Sequence, residues 1–248
     1  SCTSWPFARA AAIAFFAIIF VNLIVAERLS PPMGALNLDD EVLERYQSMV
    51  AGRQRLLLFV VSLGVALVPG IGAAGEWRTW LLFRYGGSFP VDDPQFRVDI
   101  GFFVFKLPFL SLVIDWVFGF LLVTLLLVSV LYYLNGSIRF QTRGDRITGS
   151  VKAHLSVILA LMALVKAGDY WLQRFELALQ KRDSFDGAGY TAVNATLPAL
   201  QLLILVALFA AGLFLVNIRR KGWVLPVIAI ALWVVTSVVL AGIYPAFV

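Results

Sequence analysis

Two ionisable residues interrupt a long apolar stretch of the sequence, "ALMALVKAGDYWLQRF". Lys166 and Asp169 lie three residues apart in it. The same spacing continues through Tyr170, Gln173 and Arg174, so in a helix all these side chains share one polar face. A lysine and a carboxylate inside an apolar helix can relay a proton or an ion, and they can equally form a structural salt bridge.

Asp115 adds a third charge from the preceding apolar segment. It lies about 12 Å past Leu107 at the helical rise per residue, and Lys166 lies about 12 Å before Arg174 by the same measure. In consecutive antiparallel helices these two residues reach a similar depth. A charge there costs about 2.5 to 3.5 kcal/mol unless it is paired or hydrated. We therefore expect Lys166 to pair with Asp169, with Asp115, or with both, and we favour a structural salt bridge over a relay.

The composition indicates an integral membrane protein. Among 248 residues, 60% are hydrophobic and 14% are charged, and the mean hydropathy is +0.87. The single Cys2 and single His154 argue against a disulfide framework or a Cys/His metal site. No HExxH, phosphate-binding glycine loop or GxSxG motif is present. These observations predict a non-enzymatic protein without a cofactor or metal ion.

The apolar segments predict an all-α polytopic bundle of six transmembrane helices that forms one domain over 1–248. The predicted spans are 10–26, 56–75, 107–134, 153–172, 197–218 and 223–247. Between the first two spans, "NLDDEVLERYQSMVAGRQR" has apolar residues at helical spacing and predicts an interfacial amphipathic helix over about 39–53, on the cytoplasmic surface.

Basic residues in two loops set the predicted orientation. "GSIRFQTRGDRITGSVK" has four basic residues against one acid, and "IRRKGW" has three against none. These loops are predicted to be cytoplasmic, which puts both chain ends on the extracytoplasmic side. A chain of six spans that begins outside leads us to expect a further helix before it. The net charge of +5 suits anionic lipid headgroups better than nucleic acid.

Small residues line one ridge of the second predicted span. Ala66, Gly70 and Ala74 recur every four residues in "GVALVPGIGAAG", beside Pro69. A small-xxx-small ridge lets a neighbouring helix approach closely, because packing drives helix association in lipid. Helix packing is the favoured interpretation here, with a hinge at Pro69 as the alternative.

Two outer loops are candidate docking surfaces for a partner. "DDPQFRVDIGFFVFKLPF" combines an acidic proline turn with a Phe-rich run, and "DGAGYTAVNATLP" has glycines that permit a non-helical backbone. The candidate docking residues are Asp93, Pro94, Phe96, Asp99, Phe102, Phe103, Gly187, Gly189 and Tyr190.

These loops, together with "LVKAGDYWLQRFEL", resemble in order and spacing the bacterial multi-pass membrane proteins of Uncharacterised Protein Family 0182. The resemblance implies seven N-terminal membrane helices followed by a large extracytoplasmic domain. We therefore expect this chain to lack the first family helix and the soluble domain. The resemblance implies no biochemical activity. Ala192 stands where similar proteins often carry an acid, so the resemblance gives no support to a metal site in this loop.

Three classes of function follow, in order of preference. The first is an anchor, accessory or scaffold subunit of the bacterial inner (plasma) membrane, whose partner is a protein or its own extracytoplasmic domain. The second is a transporter or a proton or ion channel that uses Asp115, Lys166 and Asp169. The third is a membrane-embedded enzyme acting on a lipid-linked substrate, with Asp92, Asp93 and Asp99 on the outer loop as metal ligands or general bases. The 20 Phe and 7 Trp also make lipids or hydrophobic pigments candidate ligands.

Overall fold

The fold is all-α across the part of the chain that the computed structural model describes, residues 4–30, 50, 52–138, 148–179, 187 and 189–243. The α-helices are α1 (Ser4–Leu29), α2 (Gln54–Gly75), α3 (Trp77–Tyr85), α4 (Leu107–Leu134), α5 (Gly149–Glu176), α6 (Leu197–Arg220) and α7 (Val224–Ser237). Within these ranges Asp92 and Asp99 form an isolated antiparallel β-bridge. The predicted interfacial helix at 39–53 lies outside the described residues, apart from Val50, Gly52 and Arg53.

Four helical segments are long and apolar enough to cross a membrane, by length and composition. They are Phe7–Leu29, Phe102–Leu134, Gly149–Leu179 and Ala192–Arg220. These four segments support a membrane protein. The predicted spans at 56–75 and 223–247 correspond to shorter apolar helices, Gln54–Gly70 and Val224–Leu240, so six crossings are not established by helix length.

Two of the long helices begin with a π-helical turn that the sequence did not predict. Phe102–Lys106 precedes α4 and Ala192–Thr196 precedes α6. Each turn ends just before a Leu-Pro pair, "KLPF" and "TLPA". Proline lacks an N–H and its ring clashes with the carbonyl of the preceding turn, which accounts for the wider turn at both places. The prediction that "GYTAVNATLP" is a loop is therefore wrong from Tyr190 onward, where the helix begins.

The chain divides into two compact units that share several of the helices. The first unit comprises Ser1–Trp77, Phe120–Ile158 and Asn217–Gly222, and the second comprises Arg78–Gly119, Leu159–Val216 and Trp223–Val248.

In the first unit, α1 packs closely against α2 through small residues. A Cβ atom built on Gly70 would lie 3.0 Å from the Cβ of Ala12, and Ala66 is 2% exposed. Phe59 of α2 meets the rings of Phe16 and Phe20 edge-on, with centroids 5.3 and 5.9 Å away. The predicted close approach of a helix at the Ala66 and Gly70 ridge is thus confirmed.

In the second unit, the core consists of small and aromatic side chains on α4 to α7. One cluster gathers Tyr170, Leu177, Leu200 and Leu203 around three alanines. Another joins Phe103 and Leu107 to Leu172 and Phe175. Alanines at these contacts bring helix backbones together and fix how α5 is rotated about its axis.

Candidate functional site

Lys166 and Asp169 form an ion pair within a single turn of α5. The Nζ atom of Lys166 lies 2.5 Å from Oδ2 of Asp169, and Gln173 donates from Nε2 to the same oxygen at 3.0 Å. The two ionised side chains are 26% and 12% exposed. One oxygen of the carboxylate thus accepts two hydrogen bonds from its own helix. The charges of the pair are therefore balanced without a residue from another helix.

Tyr170 connects this ion pair to α7. Its hydroxyl oxygen accepts a hydrogen bond from Nε1 of Trp233 at 3.1 Å and lies 3.3 Å from Oγ of Ser237. The ammonium group of Lys166 stands 5.4 Å from the centroid of the Tyr170 ring and 5.3 Å from that of Phe118. Aromatic faces attract a nearby cation, so these two rings add to the contacts that hold the lysine side chain in place.

We call Lys166, Asp169, Gln173, Tyr170, Trp233 and Ser237 the α5–α7 polar cluster. Trp233 and Ser237 were missed from the sequence, because a tryptophan and a serine in an apolar helix carry no distinctive spacing. The only available signal was their own spacing of four residues, which puts both on one face of α7.

Asp115 does not join the cluster. Of the partners expected for Lys166, which were Asp169, Asp115 or both, the structure shows Asp169. It is exposed and forms no ion pair with any residue that the structure describes. On α4, Phe118 faces Lys166, and Ile114 lies 3.4 Å from a Cβ built on Gly168. Ile114 and Phe118 are four residues apart and define the face of α4 toward α5. Asp115 lies about 100° further around the helix, so it points away although its depth matches.

Arg174 also departs from the predicted polar face. Its guanidinium carbon lies 5.6 Å from the ring centroid of Phe175 and 5.9 Å from that of Trp171. Its Nε atom is buried without a hydrogen-bond partner among the described residues. The polar face of α5 therefore divides into the hydrogen-bonded cluster and an arginine that stacks on aromatic rings.

A small apolar cavity borders the cluster. Its volume is about 60 Å³, and its walls include Phe118, Met162, Phe214 and Trp233, with Lys166 at one side. A space of this size holds a few water molecules at most, and water needs several polar partners to occupy it stably. An apolar space of this kind therefore supplies no polar partners for water beside Lys166. A second cavity, of about 260 Å³, reaches the cluster at Gln173 and is bordered by Glu176 and Thr196.

The outer-loop acids organise their own backbone. Oδ1 of Asp93 accepts hydrogen bonds from the backbone N–H groups of Gln95 and Phe96, at 3.0 and 2.8 Å. Oδ1 of Asp99 accepts from the N–H groups of Phe89, at 3.1 Å, and Gly101. Both acids hold a turn in shape, as short polar side chains commonly do. Three or more His, Cys, Asp or Glu residues arranged to hold a metal ion do not occur in the described part of the chain.

The aromatic candidates for docking pack inward. Phe96 and Phe102 each lie with ring centroids 5.1 Å from that of Phe175, and Phe103 is 5% exposed. Phe103 and the buried Gly189 are therefore corrected from docking residues to packing positions. Among the remaining candidates, Tyr190 is 74% exposed, Pro94 is exposed, and Gly187 has a positive φ of 120°.

A second polar network, in the first unit, was missed entirely. His154 of α5 is 8% exposed, and its Nδ1 lies 2.8 Å from the hydroxyl of Tyr132 on α4. Its Nε2 lies 3.2 Å from Oδ1 of Asn22 on α1, and the amide nitrogen of Asn22 donates to the carbonyl of Ile18 at 2.7 Å. Since that Asn22 oxygen is an acceptor, Nε2 carries the proton and Nδ1 accepts from Tyr132. We call Asn22, Tyr132 and His154 the histidine network.

Comparisons with known proteins give the family of this chain. The model of the "Uncharacterised protein family (UPF0182)" matches residues 2–248. UPF0182 proteins of Frankia casuarinae and Streptomyces coelicolor are 42% and 35% identical, over 93% and 92% of this chain and 23% of each relative. One of Salinispora tropica is 38% identical over 94% of this chain and 24% of the relative. The chain thus spans about a quarter of these relatives. No solved structure matches. The chain belongs to the uncharacterised protein family UPF0182.

Proposed function

We propose that this chain is a non-enzymatic, multi-pass anchor or scaffold in the bacterial inner membrane. In this proposal six helices cross the bilayer, both described ends face outside, and the outer loops carry a partner or the remainder of a longer protein. The observation that carries it is the ion pair of the α5–α7 polar cluster, which α5 completes with its own residues. The Lys166 charge is neutralised within its own helix, and the cavity beside Lys166 itself is small and apolar. The larger cavity meets the cluster at Gln173 and not at the ammonium group.

The outer loop supports the same proposal over the enzyme alternative. Asp93 and Asp99 already accept backbone hydrogen bonds, so their carboxylates serve the shape of the loop. A general base or a set of metal ligands would instead have to be free to meet a substrate or an ion. A rigid loop with an exposed proline turn suits a docking surface.

One observation favours transport as a second candidate. Asp115 is an exposed acid in the outer half of an apolar helix, and an unpaired carboxylate at that depth is costly. Such a group could bind a proton or a cation that crosses the membrane.

Proton flux separates the two candidates. The protein would be reconstituted into liposomes that contain a pH-sensitive dye, with an imposed pH gradient. The scaffold proposal predicts that wild-type liposomes lose the gradient no faster than empty ones. A flux in the wild type that disappears in Asp115→Asn, but not in the matched loop variant Asp92→Asn, would replace the scaffold with a transporter.

The proposed topology is tested at the two ends of α6. In a Cys2→Ala background, Tyr190→Cys and Lys221→Cys put single thiols at exposed positions. An impermeant maleimide added to intact cells should label the first and spare the second until the membrane is opened. The reverse pattern would invert the proposed orientation, and labelling of both would remove the crossing by α6.

A further inference from the structure

Three consecutive basic residues lie at the C-terminal end of α6, in the first unit. Arg219, Arg220 and Lys221 are all exposed, and none of them forms an ion pair with a described residue. Cations at a helix C-terminus complement its dipole, which accounts for basic residues there but not for a fixed turn that presents them.

The turn itself is built in an unusual way. Lys221 has a φ of 53°, a left-handed conformation that residues with a side chain rarely adopt. Its N–H donates to the carbonyl of Asn217 at 2.7 Å, and the N–H of Gly222 donates to Oδ1 of Asn217 at 3.1 Å. Asn217 therefore caps the C-terminus of α6, with its backbone carbonyl and its side-chain oxygen each accepting a hydrogen bond from the turn.

Asn217 is in turn anchored in the interior. It is fully buried, and its Nδ2 donates to Oγ of Ser156 on α5 at 2.8 Å. The hydroxyl of Ser156 donates to the carbonyl of Lys152 at 2.7 Å. The aliphatic stem of Lys221 crosses Gly149, where an added Cβ would lie 2.9 Å from its Cδ. A chain of hydrogen bonds from Asn217 through Ser156 thus fixes the turn at Lys221. Gly149, which has no side chain, leaves space for the Lys221 side chain to pack across it.

We propose that this braced turn binds the phosphate of anionic phospholipid headgroups. Guanidinium and ammonium groups recognise phosphate by charge-assisted hydrogen bonds, and basic residues at a membrane surface attract anionic lipids. A turn fixed before binding loses less conformational freedom when the headgroup arrives, and this favours a defined site over diffuse attraction. The inference rests on the membrane location in the proposed function, but not on the scaffold role.

Native mass spectrometry of the detergent-purified chain tests the site. Phosphatidylglycerol and phosphatidylcholine would be titrated separately into the wild type, into R219A/R220A/K221A, and into the control R84A/R97A/K106A. The control removes three exposed cations from the second unit. We expect the wild type to prefer phosphatidylglycerol, the α6 variant to lose about tenfold or more in affinity for it, and the control to stay within about twofold.

Two results would overturn the site. The first is an α6 variant that binds phosphatidylglycerol as tightly as the wild type, and the second is a control that loses as much affinity as the α6 variant. Both triple variants change exposed side chains, and thermal unfolding of each checks that it is folded. If the phosphatidylglycerol titration fails while maleimide labelling at the ends of α6 follows the expected pattern, the headgroup site alone is rejected. Inverted labelling would instead reject the proposed topology.

Discussion

The histidine network and the α5–α7 polar cluster both supply partners for polar side chains inside apolar helices, but they do so in different ways. The histidine network is neutral, and its three side chains come from α1, α4 and α5. In the α5–α7 polar cluster the charged pair lies within α5, and a tyrosine hydroxyl makes the link to α7. In the polar cluster the partner of the charge lies on the same helix, whereas the neutral hydrogen-bonding groups are distributed between helices. A neutral group that loses its partner costs less free energy than an unpaired charge.

This difference predicts distinct consequences of mutation. Loss of His154 leaves polar atoms on two other helices without a partner, and so weakens the packing between helices. Loss of one charge in the polar cluster leaves the opposite charge unpaired inside one helix. The second change should be the larger, because an unpaired charge costs more than an unpaired hydroxyl or amide.

The largest effect is expected from Asp169→Leu. It leaves the Lys166 ammonium without its carboxylate, at an expected cost of about 3 kcal/mol, similar to a charge inserted in a membrane helix. The midpoint of thermal unfolding in lipid nanodiscs measures it. The matched control is Lys166→Leu/Asp169→Leu, which removes both charges and should recover most of the lost stability. A double variant as unstable as the single one would mean that the pairing is not what the substitution breaks.

A somewhat smaller effect is expected from His154→Leu. The substitution removes the links to Tyr132 and Asn22 together. It leaves the buried Tyr132 hydroxyl and the half-buried Asn22 Oδ1 without these partners, at about 2 kcal/mol in all. The same nanodisc unfolding assay applies. Tyr132→Phe is the control that removes one of the two links, and it should show roughly half the loss. Equal stability of His154→Leu and wild type would show that the network does not hold the three helices.

Trp233→Phe should have a modest effect. It removes the N–H that donates to Tyr170 while keeping a ring at that position, and hydrogen bonds between membrane helices average about 0.6 kcal/mol. The substitution removes one of the seven tryptophan fluorophores and so changes the fluorescence signal itself, and circular dichroism should follow the unfolding instead. Ser237→Ala, which removes the longer 3.3 Å contact, should change stability less than Trp233→Phe does. The opposite order would mean that serine is the principal partner of the tyrosine.

The smallest effect on stability is expected from Asp115→Leu. Because the acid is exposed and Lys166 pairs with Asp169, the substitution should leave the unfolding midpoint unchanged or raise it slightly. Asp115→Asn, which keeps the shape of the side chain, is the control for packing. A clear drop in stability in both variants would indicate a partner for Asp115 and would restore the pairing that its depth suggested.

Much of the helical framework could be predicted from the sequence, because apolar runs of membrane length permit few alternatives to a helix. The predicted span at 107–134 has the same limits as α4. The spacing of Lys166 and Asp169 also indicated a pair within one helix. These features depend on residues that are close in sequence, where helical periodicity is enough to decide the contact.

Features that depend on rotation between helices could not be predicted in this way. The rise per residue gave the depth of Asp115 but not its direction, which follows from how Ile114 and Phe118 pack on α5. The contact between Asn22 and His154 joins residues 132 positions apart, and no local sequence pattern predicts it. A polar residue alone in an apolar span signals that a partner exists, but the partner is determined by tertiary packing.

A double-mutant cycle in nanodiscs tests most directly whether Lys166 is neutralised within its own helix. Unfolding free energies would be compared for leucine substitutions at Lys166 and Asp169, singly and together, and for the parallel set at Lys166 and Asp115. We predict a coupling energy of about 2 kcal/mol for the pair in α5 and a value near zero for the pair between α4 and α5. A coupling to Asp115 as large as that to Asp169 would contradict this account.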